Sequence, residues 1–286
     1  MTLSEAPLVS IVIPTYNSEA TLPRCLSAIA NQTYENIETI VVDGGSIDNT
    51  IDICQQFDVN YLLSDRKGSA TQTNYGITNA RGTYIYRVDS DVLLASDNVS
   101  ECVKKCEGEK YDVVCVYWGP DPTVSFWAKV RELEWSCYKD NLFPRGARFF
   151  RTTAIIDIGL FDSNLTFGED YDVYNKLVRH NFKVGTIQSE GLHIGEPRSL
   201  NEVIIKQFAY GKTLHAFLKE HNEGLTQVSP IRKELIKNWK RFVSHPILAA
   251  GFMIYYLVYY AAAIFGLVVS MVEGNKNKNS DSKHLR

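Results

Sequence analysis

The chain predicts an α/β fold with a mostly parallel central sheet and flanking helices, followed by one C-terminal transmembrane helix. Three observations predict it. Short β-branched runs alternate with helix-period stretches from residue 8 to about residue 90, acidic or glycine-rich turns close those runs, and 26 residues from Ile247 to Val272 carry no charge.

Leu8 to Ile13, Ile37 to Val42, Val59 to Leu63 and Tyr84 to Val88 read as strands. Between them, Glu19 to Asn31, Asp48 to Phe57 and Ser69 to Ala80 place apolar residues at helical spacing. Strands alternating with helices build a βαβαβαβ unit and hence a parallel sheet. Gly44-Gly45-Ser46 follows the second strand and precedes a helix, where a tight turn brings backbone N–H groups close to a ligand. Beyond residue 92 the order loosens. Helices are expected near Asn98 to Glu107, Val124 to Asn141 and from Glu169, with strands at Asp112 to Tyr117, Ala147 to Arg151 and Lys183 to Ile187.

At 286 residues the chain is long enough for one large α/β domain and an appendage, and a net charge of -3 excludes a nucleic-acid binder relying on a strongly basic face. Six cysteines lie scattered without a C-x-x-C, and no basic segment leading into an apolar core opens the chain, so the main domain is expected in a reducing cytoplasm. Cys102 and Cys106 are read as buried thiols rather than a metal site. The sequons at Asn31, Asn98 and Asn164 are read as chance matches. The division is then 1–225 for the α/β domain, 226–245 for a basic amphipathic helix, 246–272 for the membrane helix and 273–286 for a disordered polar tail.

The uncharged stretch would span roughly 39 Å as a helix, enough to cross a ~30 Å hydrocarbon layer with tilt. A single pass through the cell membrane follows, with the α/β domain cytoplasmic. Tyr255, Tyr256, Tyr259 and Tyr260 are unusual so deep in a span and mark a helix packed on a partner or lying partly in the interface. Ala262, Gly266 and Ser270 have the small-xxx-small spacing that permits helix pairing, and with it a homodimer. Arg232, Lys233, Lys237, Lys240 and Arg241 interleave with Ile231, Leu235, Ile236, Trp239 and Phe242, a pattern suited to an anionic leaflet.

The chemistry concentrates at Asp89-Ser90-Asp91, two carboxylates closing the run of Tyr84, Ile85, Tyr86 and Val88. A strand end with two acids offers hard oxygen ligands to a divalent cation where open α/β sheets bind ligands. Taken alone, the same three residues could equally be a solvated turn.

Val9 to Asn17 (VSIVIPTYN), Gln32-Thr33-Tyr34, Ile40 to Thr50 (IVVDGGSIDNT), Asp89-Ser90-Asp91 and Gly168-Glu169-Asp170, in this order, resemble family 2 glycosyltransferases of the GT-A fold over roughly residues 8 to 215. The resemblance implies that Pro14, Tyr16 and Asn17 line a base and ribose pocket, beside the Gly45 turn. Asp43 would accept a hydrogen bond from the base, or else cap its own turn. A family-typical D-D-G-S turn has one acid replaced by Gly44 here, which blurs base preference. Asp65 and Arg66, before Gly68, Asn74 and Gly76, border the nucleotide in such proteins; Arg66 or Lys67 steadies the diphosphate, or the segment is a solvated charged turn.

The resemblance also implies Mn2+ or Mg2+ bridging the donor's phosphates. Asp91 would be its direct ligand, Asp89 would touch it, its water or the ribose, and His193 would be a third ligand or a structural histidine. Of Glu169 and Asp170, Asp170 would be the general base of a single inverting displacement, with Asp172 its rival; the bland alternative is that these acids only favour a helix N-terminus. Phe126, Trp127, Trp135, Tyr138 and Phe143, followed by Arg145, Gly146 and Arg148, lie where acceptor sites occur. The chain lacks the Q-x-x-R-W of processive synthases, so transfer of one sugar is implied, from a UDP- or GDP-sugar to a hydroxyl of a lipid-linked or cell-surface glycan. A polyprenyl-phosphate glycosyl synthase, or a silent nucleotide-sugar-binding scaffold, are the alternatives.

Overall fold

The computed structural model describes residues 6–138, 146–165, 168–220 and 232–284, without side chains at 213–220 and 273–284. Its centre is β1 (Val9–Thr15), buried at every position because parallel sheets are covered on both faces. To one side lie β2 (Ile37–Asp43) and β3 (Asn60–Leu63), to the other β4 (Tyr84–Arg87), β8 (Ala147–Arg151), β6 (Val113–Cys115) and β9 (Val184–Thr186). β3, β2, β1 and β4 run parallel, whereas β8 is antiparallel to both its neighbours.

Alternation along β1 splits the core. Ile11 and Ile13 face α1 (Leu22–Ala30), α2 (Thr50–Gln56) and α4 (Asn98–Glu109), whereas Val12 faces α3 (Ser69–Thr78), α6 (Thr152–Asp157) and α7 (Glu169–Arg179). Gly76 lets α3 approach, because a Cβ there would stand 2.4 Å from Val12 Cγ1.

Three short strands escape the sequence pattern: β5 (Val92–Leu94), β7 (Trp118–Pro120) and β10 (Gly191–His193) form a second sheet in the order β5-β10-β7. Three residues are too few for a period of two to register. The strand expected at Asp112 to Tyr117 accordingly resolves into β6, with β7 following in the other sheet. α5 (Phe126–Trp135) ends in a short 3-10 turn, Ser136–Tyr138, and Asn141, Phe143 and Arg145 lie outside the described residues. All six cysteines are buried and unbridged.

The chain clusters into two compact units, the first made of Met1–Pro120, Tyr138–Asn164 and Glu169–Gly195, the second of Asp121–Cys137, Leu165–Gly168 and Glu196–Arg286. The second unit pairs α8 (Leu200–Glu220) with α11 (Pro246–His284), and α5 packs on α11. α8 thus clusters with the hydrophobic helix. The basic stretch forms two helices, α9 (Lys233–Lys237) and α10 (Trp239–Ser244), broken at Asn238, whose side-chain amide donates to the Glu234 and Cys137 carbonyls. Ile231 lies outside the described residues. Among the described residues one helix, Pro246–Val272, is long and apolar enough to cross a membrane.

Candidate active site

β4 ends on a buried cation. Arg87 is 4% exposed, and its Nη2 lies 2.9 Å from Asp89 Oδ1 while donating to Ser69 Oγ at 2.9 Å. Its Nη1 donates to Asp170 Oδ1 at 3.0 Å, and Glu169 Oε1 stands 3.8 Å from Nη2. Because Tyr86 pairs with Phe149 across β4 and β8, Arg148 arrives beside Arg87. Arg148 meets Asp170 as a fork, Nη1 to Oδ1 at 3.0 Å and Nη2 to Oδ2 at 2.8 Å, with its guanidinium 4.3 Å above the Trp118 ring. Two arginines therefore fix the direction of one carboxylate.

The β5–β10 pairing sets His193 opposite Val92, so its Nε2 comes 3.4 Å from Asp91 Oδ2. The Ile194 N–H donates to the Asp91 carbonyl at 2.8 Å. Gly195 leaves the room this carboxylate occupies: a Cβ there would stand 1.9 Å from Asp91 Oδ2. Ser18 and Ser90 hydroxyls, 2.9 Å apart, tie the loop after β1 to the Asp89–Asp91 loop.

Burial raises the carboxyls of Asp89 and Asp170 above the ordinary aspartate value, and Arg87 opposes it in both. Glu169 is pushed up to about 7, by burial first and then by the charge of Asp170. Four carboxyl groups (Asp89, Asp91, Glu169, Asp170) face two guanidiniums, and with all four ionised the excess is two negative charges, which a divalent cation would neutralise. Asp91 and His193 fit such an ion, one hard oxygen and one imidazole nitrogen beside the space Gly195 keeps open. Asp89 Oδ1 is paired with Arg87. Among the described residues no group of three or more His, Cys, Asp or Glu side chains converges as a metal cage.

On the other side of β1, Pro14 is buried while Tyr16 and Asn17 are exposed at the strand's end. Asn17 clamps the two loops, its N–H donating to Ser46 Oγ at 2.8 Å and its Oδ1 accepting the Ile47 N–H at 2.9 Å. Asp43 is 1% exposed. Its Oδ2 accepts the Gly45 and Ser46 N–H groups at 2.9 Å each, and its Oδ1 accepts the Ser46 and Thr15 hydroxyls. Gly45 makes this possible with φ of 84°, a left-handed turn. In this conformation both oxygens of Asp43 accept hydrogen bonds from its turn and from Thr15. Lys67, not Arg66, reaches Tyr16, its ammonium 4.4 Å from the ring centroid and donating to Oη at 3.2 Å. Asp65 and Arg66 are exposed.

Asp172 is buried and ion-paired with Lys176 at 2.7 Å, one helical turn further along α7. Of the aromatic segment, Tyr138 is buried, and Trp127 packs on Tyr255 with ring centroids 6.3 Å apart. Sequence reasoning passed over Arg87 and Ser69, and placed Arg148 with an acceptor. The available signal was a lone cation at the end of an apolar strand, which folding must neutralise.

The glycosyl transferase family 2 profile matches residues 10–159, just over half the chain. The chain belongs to glycosyl transferase family 2. It is 40% identical over 113 residues to glycosyltransferase GlyG of Streptococcus pneumoniae, an alignment covering 37% of this chain and 38% of that protein. The alignments with the first curated relatives thus cover well under half of their length. Among solved structures, the chain resembles the mannosyltransferase PcManGT from Pyrobaculum calidifontis, in complex with GDP-Man and Mn2+, at a TM-score of 0.55 and 17% identity over 98% of this chain and 81% of that one. It resembles S. aureus TarS 1-349 in complex with UDP-GlcNAc at a TM-score of 0.55 and 16% identity, over 94% of this chain and 92% of that one. At such identities the likeness shows the GT-A fold of this family 2 member.

Proposed function

We propose that this glycosyltransferase moves a single sugar, with inversion, from a UDP- or GDP-sugar to a hydroxyl of a lipid-linked or cell-surface glycan, using Mn2+ or Mg2+, while attached to a membrane. The observation that carries it is Asp170 held between Arg87 and Arg148 in the same buried cluster as Asp89, which is two residues from the Asp91 that pairs with His193. Donors of this class are supported by the nucleotide sugars in the PcManGT and TarS complexes.

Asp91 and His193 would hold the metal, which when bound offsets the charge developing on the departing nucleoside diphosphate. Tyr16 offers an exposed ring for a base to stack on, and Lys67 beside it brings a cation to the phosphate side. Asp170 accepts the proton of the attacking hydroxyl. The two arginines aim its carboxylate, and burial restores basicity that their charge would otherwise remove. A base is needed for a sugar hydroxyl and not for an ionised phosphate, which favours a glycan over a bare polyprenyl phosphate.

The test pairs binding with turnover. Nucleoside diphosphates with Mn2+ should raise the melting midpoint of both wild type and Asp170→Asn, since ligand binding to the native state stabilises it. Only wild type should then transfer sugar. Full turnover in Asp170→Asn would end the base assignment, and transfer to dolichyl or undecaprenyl phosphate alone would move the acceptor to that class.

A further inference from the structure

Helix α11 is apolar on the face it leaves open as well as on the face it packs. Met253, Leu257, Ile264, Val268 and Met271 recur at helical spacing along an exposed stripe, with Phe265 beside it. The opposite face is Gly251, Tyr255, Ala262 and Gly266, and it is committed to protein. Cβ atoms at Gly251 and Gly266 would stand 2.8 Å from Phe126 and Val130 of α5 and 2.2 Å from the Phe208 carbonyl oxygen of α8. Gly211 of α8 is as tight against Ala263, at 2.0 Å. The small-residue spacing in the sequence therefore serves a pairing within this chain.

Those neighbours are charged. Arg131 of α5 lies 6.0 Å from the Tyr255 ring and donates to Glu196 at 2.9 Å, and Glu196 is 6% exposed. α8 carries Glu202, Lys206 and Lys212 along the length that packs on α11. Tyr255 stands nine residues, about 13 Å, inside Pro246–Val272, close to the middle of a ~30 Å hydrocarbon layer if the helix crossed it upright. The Arg131–Glu196 pair and the α8 cations would be drawn there with it, where charged groups are costly.

We infer that α11 lies in the plane of the membrane, its open stripe sunk in one leaflet of an anionic bilayer and α8 on the watery side, so that both ends of the hydrophobic segment stay on one face. This rests on the membrane attachment proposed above. The choice of an anionic bilayer over a second copy of the chain comes from charge: Lys237, Lys240 and Arg241 on α9 and α10 are exposed among exposed Ile236, Trp239 and Val243, whereas the chain as a whole is negative at -3.

The test uses the full chain expressed in bacteria, with Ser244→Cys and Ser280→Cys made separately at the two ends of the apolar segment. The six native thiols are buried. In inverted membrane vesicles a membrane-impermeant maleimide should label both variants equally before detergent is added. Labelling of Ser280→Cys only after detergent, with Ser244→Cys already labelled, would overturn the in-plane placement and leave membrane attachment standing. Lys237→Glu with Lys240→Glu and Arg241→Glu should weaken binding to phosphatidylglycerol vesicles at least tenfold; unchanged binding would count against the anionic leaflet. A wild type that stays wholly soluble as a dimer would defeat both this placement and the attachment reading.

Discussion

Asp43 closes β2 and Asp91 lies in the loop that follows β4, the two strands that flank β1, and their carboxylates are held in opposite ways. Asp43 is held by the two N–H groups and the hydroxyl that its own turn supplies within three residues, together with Thr15. Asp91 receives nothing comparable from its loop. Its nearest partner is His193, a hundred residues along the chain, and its neighbour Asp89 is taken by Arg87. A turn that can double back through a left-handed glycine consumes its acid in structure. A turn that cannot leaves its acid to partners from distant segments.

The largest effect expected of that contrast is on turnover. Asp91→Ala should lower nucleotide-sugar turnover about a thousandfold or more, equivalent to about 4 kcal/mol of transition-state stabilisation, with the melting midpoint little changed. The same signature in Asp43→Ala would erase the distinction. Instead, Asp43→Ala should lose about 2–4 kcal/mol of stability in urea unfolding, because two backbone donors of a buried turn go unpaired.

Glu169 sharpens the comparison through pH. Its folded pKa of about 7 lies above the ordinary 4.5, so between those values the native state holds a proton that the unfolded chain has released. Stability of the metal-free and nucleotide-free enzyme should then fall as pH rises through this window, by on the order of 2 kcal/mol, and Glu169→Gln should flatten the slope. A wild-type stability that rises over the same interval would refute the burial assigned to this carboxyl. The smallest effect belongs to Gly195→Ala. A methyl in the space of the Asp91 carboxylate should weaken Mn2+ affinity about tenfold, read by titration calorimetry, with only a small loss of stability.

Much of this was visible in the residues. β1 to β4 and the helices between them follow from alternation and helical spacing, each set within a window of about a dozen residues. Asp91, His193 and Asp170 were named for their positions in motifs. Hidden were the pieces with no local pattern: the three-residue strands β5, β7 and β10, and Arg87, submerged in an apolar run because its neutralising acids are 2, 82 and 83 positions away. That Asp89 meets Arg87 while Asp91 meets His193 was equally hidden, since both sit in one tripeptide.

The sequence by itself determined the fold class, the family and the uncharged helix, because hydrophobic period and motif order are properties of contiguous chain. Only the tertiary structure decided which carboxylate caps a turn, which one two arginines aim, and which side of α11 meets protein. Those outcomes depend on donors and charges brought together from distant segments, and a buried charge is settled by whatever neighbour folding supplies.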